Sequence, residues 1–449
     1  MLTFCSEQAK FAAGADTPAR YLERCLDKIV VIEPALKAFV SQSHAIAYGA
    51  AKAATARYAS GKPLSVVDGL PLAIKDIFET RDVPTGWGVE AFLARPPVRD
   101  AAIVSALRRG GAAMVGKTRL PELGLGAPPV TVNPWDYARS PGGSSSGSAA
   151  AVGAGMVPVA IGTQGRGSLT RPASYCGVYA FKPSHGAIHR GGDGGGQETN
   201  THVGTLAGSL EDAWVVARYL SDVAGPHPGG FGLEGPASLP TALRPRRLVR
   251  LEGPGWRQTD EAAKTAYENF LATLARAGVE IVEAEESAIT KALSSGLDDA
   301  SDALSVIADY ESRWPLVMYI QRAEEEGTAI FSPTAMRRGP LRADVPRERY
   351  HDALRFREVY QGMLAACHQD GVLFVSPSAT GAASADLTST GSSVYQWASS
   401  LAGNPVVSLP FMMADGLPFG LQVQGFSGRD AALVGHCRWL DEAFRSGKI

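Results

Sequence analysis

The chain has 449 residues, of which 45% are hydrophobic and 20% charged, an ordinary composition for a soluble globular protein. A formal net charge of −2 argues against binding to nucleic acid or to an anionic membrane. Five cysteines without a CxxC pair, no signal-peptide pattern and no apolar run of about 18 residues favour a cytoplasmic enzyme with reduced thiols. We expect one α/β domain over residues 1–449, with a mixed, mostly parallel central sheet covered by helices on both faces.

The first part of the chain alternates between helical and strand-like patterns. Thr17-Pro18 is a typical helix start, and Asp68-Gly69 precedes a short apolar run that leads to Lys75. The predicted elements are a helix from Thr17 to about Val31, a helix over Ala45–Ser60, a strand over Leu70–Ile74, a helix over residues 101–110 and a strand over Ala113–Lys117.

The second part begins with a segment, Ile188–Thr205, whose glycine content predicts a mobile loop. Residues 225–243 form a Pro/Gly-rich connector, and residues 285–355 carry no chemical signature, so they are either surface helices or a variable substrate-side region. The remaining predictions are strands over Arg247–Leu251, Val279–Val282, Val372–Val375 and Val406–Leu409, and a helix capped by Thr259 that ends near Ala277 at Gly278.

Two serine-bearing segments could support nucleophilic catalysis. Pro141–Ser148 (PGGSSSGS) supplies hydroxyls and accessible backbone N–H groups, and Ala149–Val152 begins a buried helix behind it. Gly162–Ser168 (GTQGRGS) forms a second turn. Each segment alone is also typical of a linker or an anion-binding turn, and a lysine after a strand is usually a solvated charge. The order and spacing of the two segments and the lysine favour a catalytic site over these separate interpretations.

The run GGSSSGSAAAVGAGMVPVAIGTQGRGSLTRPASYCGVYAFKP, from Gly142 to Pro183, resembles the amidase signature family. Ser168 follows Ser144 by 24 positions. Residues Gly69–Asp76 (GLPLAIKD) match the family phrase G-x-P-x-x-x-K-D, in which the family lysine corresponds to Lys75. The resemblance covers roughly residues 17–440, with the core over residues 60–225 and 365–440. It is supported by NPWD at Asn133–Asp136, AGNP at Ala402–Pro405 and GLPFGLQ at Gly416–Gln422.

The resemblance implies a catalytic triad. Ser168 would be the nucleophile, Ser144 the bridging serine beside a cis peptide, and Lys75 the base, which must be neutral and therefore buried. Neither a metal nor another cofactor is implied. The backbone N–H groups expected to form the oxyanion hole are those of Gly165, Arg166, Gly167 and Ser168.

The sequence departs from the family near the second serine. The family's acid and arginine are replaced by Gln164 and Thr170, with Arg171 displaced by one position, so charge stays nearly balanced. Arg166 stands where relatives carry glycine; it either distorts the turn, if positive φ is required, or leans into the pocket. The residues expected to line the substrate pocket are Gly124, Leu125, Arg166 and Thr170.

These features predict a serine hydrolase for C–N bonds of small neutral amides, including aryl amides, with carbamates (urethanes) and esters as extensions. Its partner would be a small-molecule substrate, and the chain would be a monomer or homodimer. Two alternatives remain: a glutaminase-type A subunit of a tRNA-dependent amidotransferase, and a catalytically silent binding protein. A serine–histidine triad is disfavoured because the histidines from His185 to His202 lie by the glycine-rich loop, where exposed histidines are common, and Cys176 is expected to be a buried small residue.

Overall fold

The computed structural model describes residues 1–125, 127–194, 196–325, 331–333 and 345–449. The helices are α1 Cys5–Ala12, α2 Pro18–Leu36, α3 His44–Ala59, α4 Ala102–Arg109, α5 Ser146–Gly153, α6 Thr170–Cys176, α7 Leu210–Val223, α8 Gly255–Gln258, α9 Glu261–Arg276, α10 Ala288–Ser295, α11 Leu297–Glu325, α12 Arg347–Ala366, α13 Trp397–Ala402 and α14 Asp430–Arg445. The strands are β1 Phe39–Gln42, β2 Pro71–Lys75, β3 Ala113–Thr118, β4 Val159–Gln164, β5 Tyr179–Lys182, β6 His202–Ala207, β7 Arg247–Arg250, β8 Glu280–Val282, β9 Val372–Pro377, β10 Val406–Ala414 and β11 Leu417–Gln424.

The described strands form one sheet in the order β1-β3-β2-β4-β6-β5-β10-β11-β9-β7-β8. The mixed α/β class is confirmed, but the expectation of mostly parallel pairing is wrong. Parallel pairs occur only at β3-β2-β4 and at β9-β7-β8 within the described part of the chain. The centre of the sheet is antiparallel because β10 and β11 form a hairpin that lies between β5 and β9.

Both faces of the sheet are covered, as predicted. Successive residues of β2 show this: Leu72 and Ile74 pack into one apolar cluster, and Ala73 packs into another. The first cluster includes buried residues of α4, α7, α9 and α14, whereas the second includes buried residues of α2, α3 and α5. This alternation follows from the two-residue period of a strand with helices on both sides. Among the described residues, no helix has the length and apolar character needed to span a bilayer.

The helix starts test two predicted caps. Thr17 is the N-cap of α2, and its hydroxyl accepts a hydrogen bond from the Arg20 main-chain nitrogen. Thr259 is not the cap of α9, because Asp260 takes that position and its carboxylate accepts from the Ala263 nitrogen at 2.7 Å. Both types of residue favour an N-cap, so the sequence alone did not separate the two neighbours.

The loop predicted over Ile188–Thr205 is corrected in its last part. Residues from His202 onward belong to β6, which pairs antiparallel with β4 from Gln164↔His202 to Val159↔Ala207. These strand residues are buried, because they lie in the middle of the sheet. Residues 191–192 of the remaining segment are also anchored, since the Gly192 carbonyl accepts from the Glu79 nitrogen at 2.9 Å and the Gly191 carbonyl from the Ala102 nitrogen at 2.8 Å.

Candidate active site

Lys75 is the last residue of β2, which lies between β3 and β4 in parallel register. Its side chain is 1% exposed. The Nζ atom lies 2.8 Å from Oγ of Ser144 and 2.8 Å from Oγ1 of Thr163. The ends of β2 and β4 therefore bring the predicted base next to Thr163, and both lie beside the turn that carries Ser144, the predicted bridging serine.

Burial controls the protonation of this lysine. Removal of the ammonium from water lowers the pKa of Lys75 to about 7, and the nearby charge of Asp193 partly opposes that shift. Ser144 and Thr163, which are within hydrogen-bonding distance of Nζ, are uncharged. Lys75 can consequently accept a proton at neutral pH, which an exposed lysine cannot do efficiently.

Ser144 lies on a buried turn just before α5, and its peptide bond with Gly143 is cis. The Arg171 guanidinium contacts this turn, because Nη2 donates to the Gly143 carbonyl at 2.5 Å and to the Thr390 hydroxyl at 3.1 Å. Burial lowers the pKa of Arg171 to about 10, a value at which the guanidinium is still charged at neutral pH. The displaced arginine therefore holds the main chain beside Ser144.

Ser168 is half-buried on the turn between β4 and α6. Its carbonyl accepts a hydrogen bond from the Ser145 nitrogen at 3.1 Å, which joins the two serine-bearing turns through their main chains. Within the described residues, the Ser168 hydroxyl forms no hydrogen bond to Ser144, Lys75 or a histidine. Catalytic hydrogen bonds are often long in a site without substrate.

The turn from Gly165 to Ser168 does not require a left-handed backbone at Arg166. Arg166 is not among the described residues with positive φ, so the proposed distortion does not occur. Its carbonyl accepts from the Ser400 hydroxyl at 3.0 Å, and its Nη2 lies 3.4 Å from Oγ of Ser301 on α11. Part of the 285–355 region thus reaches the turn.

Thr170 lies beneath this turn rather than in a pocket. It is fully buried, and its nitrogen and hydroxyl donate to Oε1 of Gln164 at 3.1 and 3.2 Å. The hydroxyl also lies 3.3 Å from Oε1 of Gln422, and Gln396 donates to that same oxygen at 3.2 Å. The expected pocket role of Thr170 is therefore replaced by a supporting one. The sequence did not indicate Gln396, and it included Gln422 only as the end of the GLPFGLQ run, because the contact with Thr170 joins distant parts of the chain.

Gly124 faces Ser144, the predicted bridging serine. A methyl group built on its Cα would lie 3.6 Å from Oγ of Ser144, and its φ is +72°. Leu125 follows it, with its nitrogen donating to the Glu122 carbonyl at 3.0 Å. A nearby cavity of about 520 Å³ is lined by Glu122 and by Asp76, the neighbour of Lys75, but not by Gly124 or Leu125. The expected pocket role of these two residues therefore stays a prediction.

Thr163 is a site residue that sequence reasoning missed. It contacts Lys75 because β2 and β4 are parallel with Ile74 opposite Ile161, which aligns the ends of the two strands. Cys176 is buried as predicted, with a pKa raised by desolvation. It therefore has the character of a packed small residue.

Comparisons with known proteins identify the family of the chain. The Amidase family profile matches residues 20–434. The chain is 30% identical to the A subunit of the glutamyl-tRNA(Gln) amidotransferase of Chloroflexus aggregans, over 96% of this chain and 94% of that relative. A stretch of 245 residues is 38% identical to the protein of the same name from Chloroflexus aurantiacus, but covers only 53% of this chain and 50% of that relative.

Solved structures give the same fold. One, from work on a vestigial protein complex and the origins of an s-triazine catabolic enzyme, has a TM-score of 0.83 and 26% identity over 98% of both chains. The peptide amidase of Stenotrophomonas maltophilia, at 24% identity, matches in fold with a TM-score of 0.81 over 98% of this chain and 96% of that one. With a profile match over nearly all of its length and a full-length relative at 30% identity, the chain belongs to the Amidase family.

Proposed function

We propose that the protein hydrolyses the C–N bond of small neutral amides through an acyl-enzyme on Ser168. The observation that carries the proposal is the 2.8 Å contact between Nζ of Lys75 and Oγ of Ser144, inside a buried site that lowers the pKa of the lysine to about 7. A neutral amine next to a bridging hydroxyl provides a base without histidine.

The proton and electron movements follow from this arrangement. Lys75 takes the proton of Ser144 while Ser144 takes that of Ser168, whose Oγ attacks the carbonyl carbon. The resulting oxyanion is stabilised by the main-chain N–H groups of residues 165–168. The C–N bond then breaks as the proton returns through Ser144 to the leaving nitrogen. A water molecule, deprotonated by the same relay, hydrolyses the acyl ester and frees Ser168.

An uncharged substrate is proposed because the side chains within hydrogen-bonding distance of Lys75 are neutral hydroxyls. Gln164 and Thr170, which replace an acid and an arginine of the family resemblance, are buried beneath the turn and add no charge there. Aryl amides, carbamates and esters share the same acyl-transfer chemistry and are further candidate substrates. Arg166, whose guanidinium extends toward Ser301, would contact a polar or aromatic substituent.

The test compares Ser168→Ala with a matched serine variant on a panel of amide, carbamate and ester linkages that hold one aryl group constant. Ser168→Ala is expected to reduce turnover at least about 10³-fold while the protein stays folded. The exposed Ser295 on α10 provides the control, since Ser295→Ala is expected to keep full activity. Retained turnover in Ser168→Ala would refute the acyl-enzyme mechanism.

A second candidate function rests on the full-length similarity to the A subunits of glutamyl-tRNA(Gln) amidotransferases. Such a role requires a glutamine pocket and partner subunits. Glutaminase activity of the chain that exceeds its aryl amidase activity, together with co-purification of partner proteins, would favour this function. A silent binding protein, the third alternative, would leave Ser168 unlabelled by a sulfonyl fluoride.

A further inference from the structure

A cavity of about 380 Å³ lies between helix α11 and the glycine-rich segment, which comprises residues 190–194 and 196–198. The segment contributes residues 190–194, Gly196 and Glu198 to the lining, and the helix contributes Trp314 and Met318. His227 also lines the cavity. The volume falls within the range of small-molecule sites, which is about 300–1,000 Å³. The cavity therefore has the size of a ligand site.

The helix side of this cavity is apolar and exposed. Trp314 and Met318 are four residues apart on α11, so they lie on the same face of the helix. Trp314 is 66% exposed and Met318 is 49% exposed. An aromatic ligand can cover this surface, because an aromatic ring stacks on an indole and also makes favourable contacts with a thioether sulfur.

The opposite wall is held in place by contacts with the chain that follows β2. The Gly192 carbonyl accepts a hydrogen bond from the Glu79 nitrogen at 2.9 Å. Gly194 packs against the indole ring of Trp87 so closely that an added methyl group would overlap the ring. The Trp87 indole nitrogen in turn donates to the Ile77 carbonyl at 2.8 Å. This wall is therefore formed before a ligand binds, as is usual for small-molecule sites.

A carboxylate of α11 joins the two walls. The Thr199 nitrogen donates to Oε2 of Glu311 at 3.0 Å, and the Thr199 hydroxyl donates to the other carboxylate oxygen. The Tyr350 hydroxyl donates to the same carboxylate at 3.0 Å. Glu311 is three residues before Trp314, so both side chains lie on the same side of the helix. This contact therefore fixes the spacing between the segment and the exposed indole.

Both walls also contact the turn that carries Ser168. Gln197 belongs to the glycine-rich segment, and its Oε1 would lie 3.0 Å from a methyl group built on Gly165. On the helix side, Oγ of Ser301 lies 3.4 Å from Nη2 of Arg166. A substrate whose carbonyl lies at this turn can therefore extend along the segment and the helix toward the cavity.

The charged groups of the cavity wall favour a neutral ligand. Arg190 is 3% exposed, its Nε donates to the Asp193 carboxylate at 2.8 Å, and its Nη1 lies 3.3 Å from the Glu198 carboxylate. Because two carboxylates share one guanidinium, even a protonated His227 would leave no excess positive charge for an anion. A cation would also gain little, since both carboxylates are already paired with the arginine.

We propose that this cavity binds a neutral aromatic group of the substrate, away from the bond that is cleaved, and that Trp314 and Met318 determine the preference for that group. The inference rests on the proposed function, since it names the class of amide or carbamate that Ser168 would cleave. Both side chains would contact the ring and leave the reacting carbonyl untouched. Substrates without a distal ring are therefore expected to be cleaved but to bind more weakly.

The test uses two pairs of amides that place the ring on either side of the reacting bond. Phenylpropionamide and N-phenethylacetamide carry the ring, and propionamide and N-ethylacetamide are their counterparts without it. In the pair whose ring the wild type prefers, Trp314→Ala is expected to raise KM for the ring-bearing amide about tenfold and to leave kcat unchanged. Met318→Ala should raise that KM about threefold, and Trp314→Phe, which keeps an aromatic face, should stay near wild type.

Phe231→Ala is the matched control, because Phe231 is 83% exposed and does not line the cavity. Its KM values are expected to equal those of the wild type for all four amides. The absence of a ring-specific change in Trp314→Ala for both pairs, or the same change in Phe231→Ala, would overturn the inference. A wild-type preference for a ring that carries a carboxylate would overturn the neutral class of ligand.

The two proposals fail separately. Calorimetry measures the affinity of Ser168→Ala for the preferred ring-bearing amide, and addition of Trp314→Ala is expected to weaken that affinity about tenfold. Full turnover in Ser168→Ala, together with a ring-specific rise of KM in Trp314→Ala, would remove only the acyl-enzyme mechanism. Abolished turnover in Ser168→Ala, with equal affinities of the single and double variants, would remove only the inference about the cavity.

Discussion

Oε1 of Gln164 accepts hydrogen bonds from both the main-chain nitrogen and the hydroxyl of Thr170, at 3.1 and 3.2 Å. The contact supports the turn that carries Ser168 without any charge. Because both residues are fully buried, the pair tolerates no net charge unless a partner compensates it. This explains how the turn keeps its structure after both the acid and the arginine of the family resemblance are replaced.

The first prediction follows from that burial. Gln164→Glu is expected to lower the free energy of unfolding by about 3 kcal/mol at pH 7, because the carboxylate would be buried without a cation. The loss should shrink toward pH 5, where the carboxyl takes up a proton. Thr170→Val, which removes only hydrogen bonds, should cost about 1 kcal/mol. Urea denaturation measures the free energy of unfolding of both variants. A wild-type value for Gln164→Glu at pH 7 would show that the buried pair does tolerate a charge.

The second prediction concerns the pH dependence of activity. Lys75 acts as a base only when neutral, and its pKa is lowered to about 7, so kcat/KM should rise with pH through about 7 and level off near pH 8. Lys182 is a stringent control, because burial lowers its pKa to about 7 as well, while its Nζ donates to the Asn404 carbonyl. Lys182→Met should leave the midpoint of the pH profile in place. Loss of the acid limb in that variant would show that Lys182, and not Lys75, controls the pH dependence.

The third prediction concerns the guanidinium of Arg171, which holds the Gly143 carbonyl next to the bridging serine. Arg171→Met is expected to reduce kcat about 100-fold, because small displacements of a catalytic group are that costly. Arg139 also donates to a main-chain carbonyl, that of Ala383 at 2.9 Å, but it is partly exposed. Steady-state assays should find Arg139→Met within about threefold of wild type, and equal effects of both variants would argue against a specific role for Arg171.

The fourth prediction uses two glycines with the same backbone conformation. Gly124 has φ +72° and faces the Ser144 hydroxyl, whereas Gly428 has φ +73° and nothing within 4 Å. Gly124→Ala and Gly428→Ala should lose similar stability, about 1 kcal/mol, from the left-handed backbone. Only Gly124→Ala should also reduce kcat/KM, by about tenfold, since its methyl group would lie against the bridging serine. Wild-type kinetics for Gly124→Ala would place that glycine outside the substrate path.

The sequence was sufficient for the parts of the site that depend on local pattern. Lys75 at the end of a buried strand and Ser144 before a helix are both recognisable from neighbouring residues, and the structure brings their side chains together. Thr163 could not be predicted in the same way, because its contact with Lys75 depends on the register between β2 and β4. The register depends on how all the strands pair in the sheet, so it cannot be predicted from the sequence of either strand alone.

Local sequence patterns led to wrong predictions for two larger features. Glycine-rich sequence before His202 suggested a loop through Thr205, although the backbone from His202 onward completes a ladder with β4. Helix–strand alternation suggested a mostly parallel sheet, because it does not reveal where the β10-β11 hairpin lies. Such long-range pairing overrides local propensity, as is usual for strands.

The position of that hairpin has a consequence for how the protein is made. β10 and β11 follow all the other described strands along the sequence, yet they lie inside the sheet. The same part of the chain provides Gln422 and Ser400, which contact Thr170 and Arg166 around the Ser168 turn. During synthesis, residues of the turn leave the ribosome more than two hundred residues before their supports. The nascent chain therefore carries the Ser168 turn without these two contacts until the residues up to Gln422 have been synthesised.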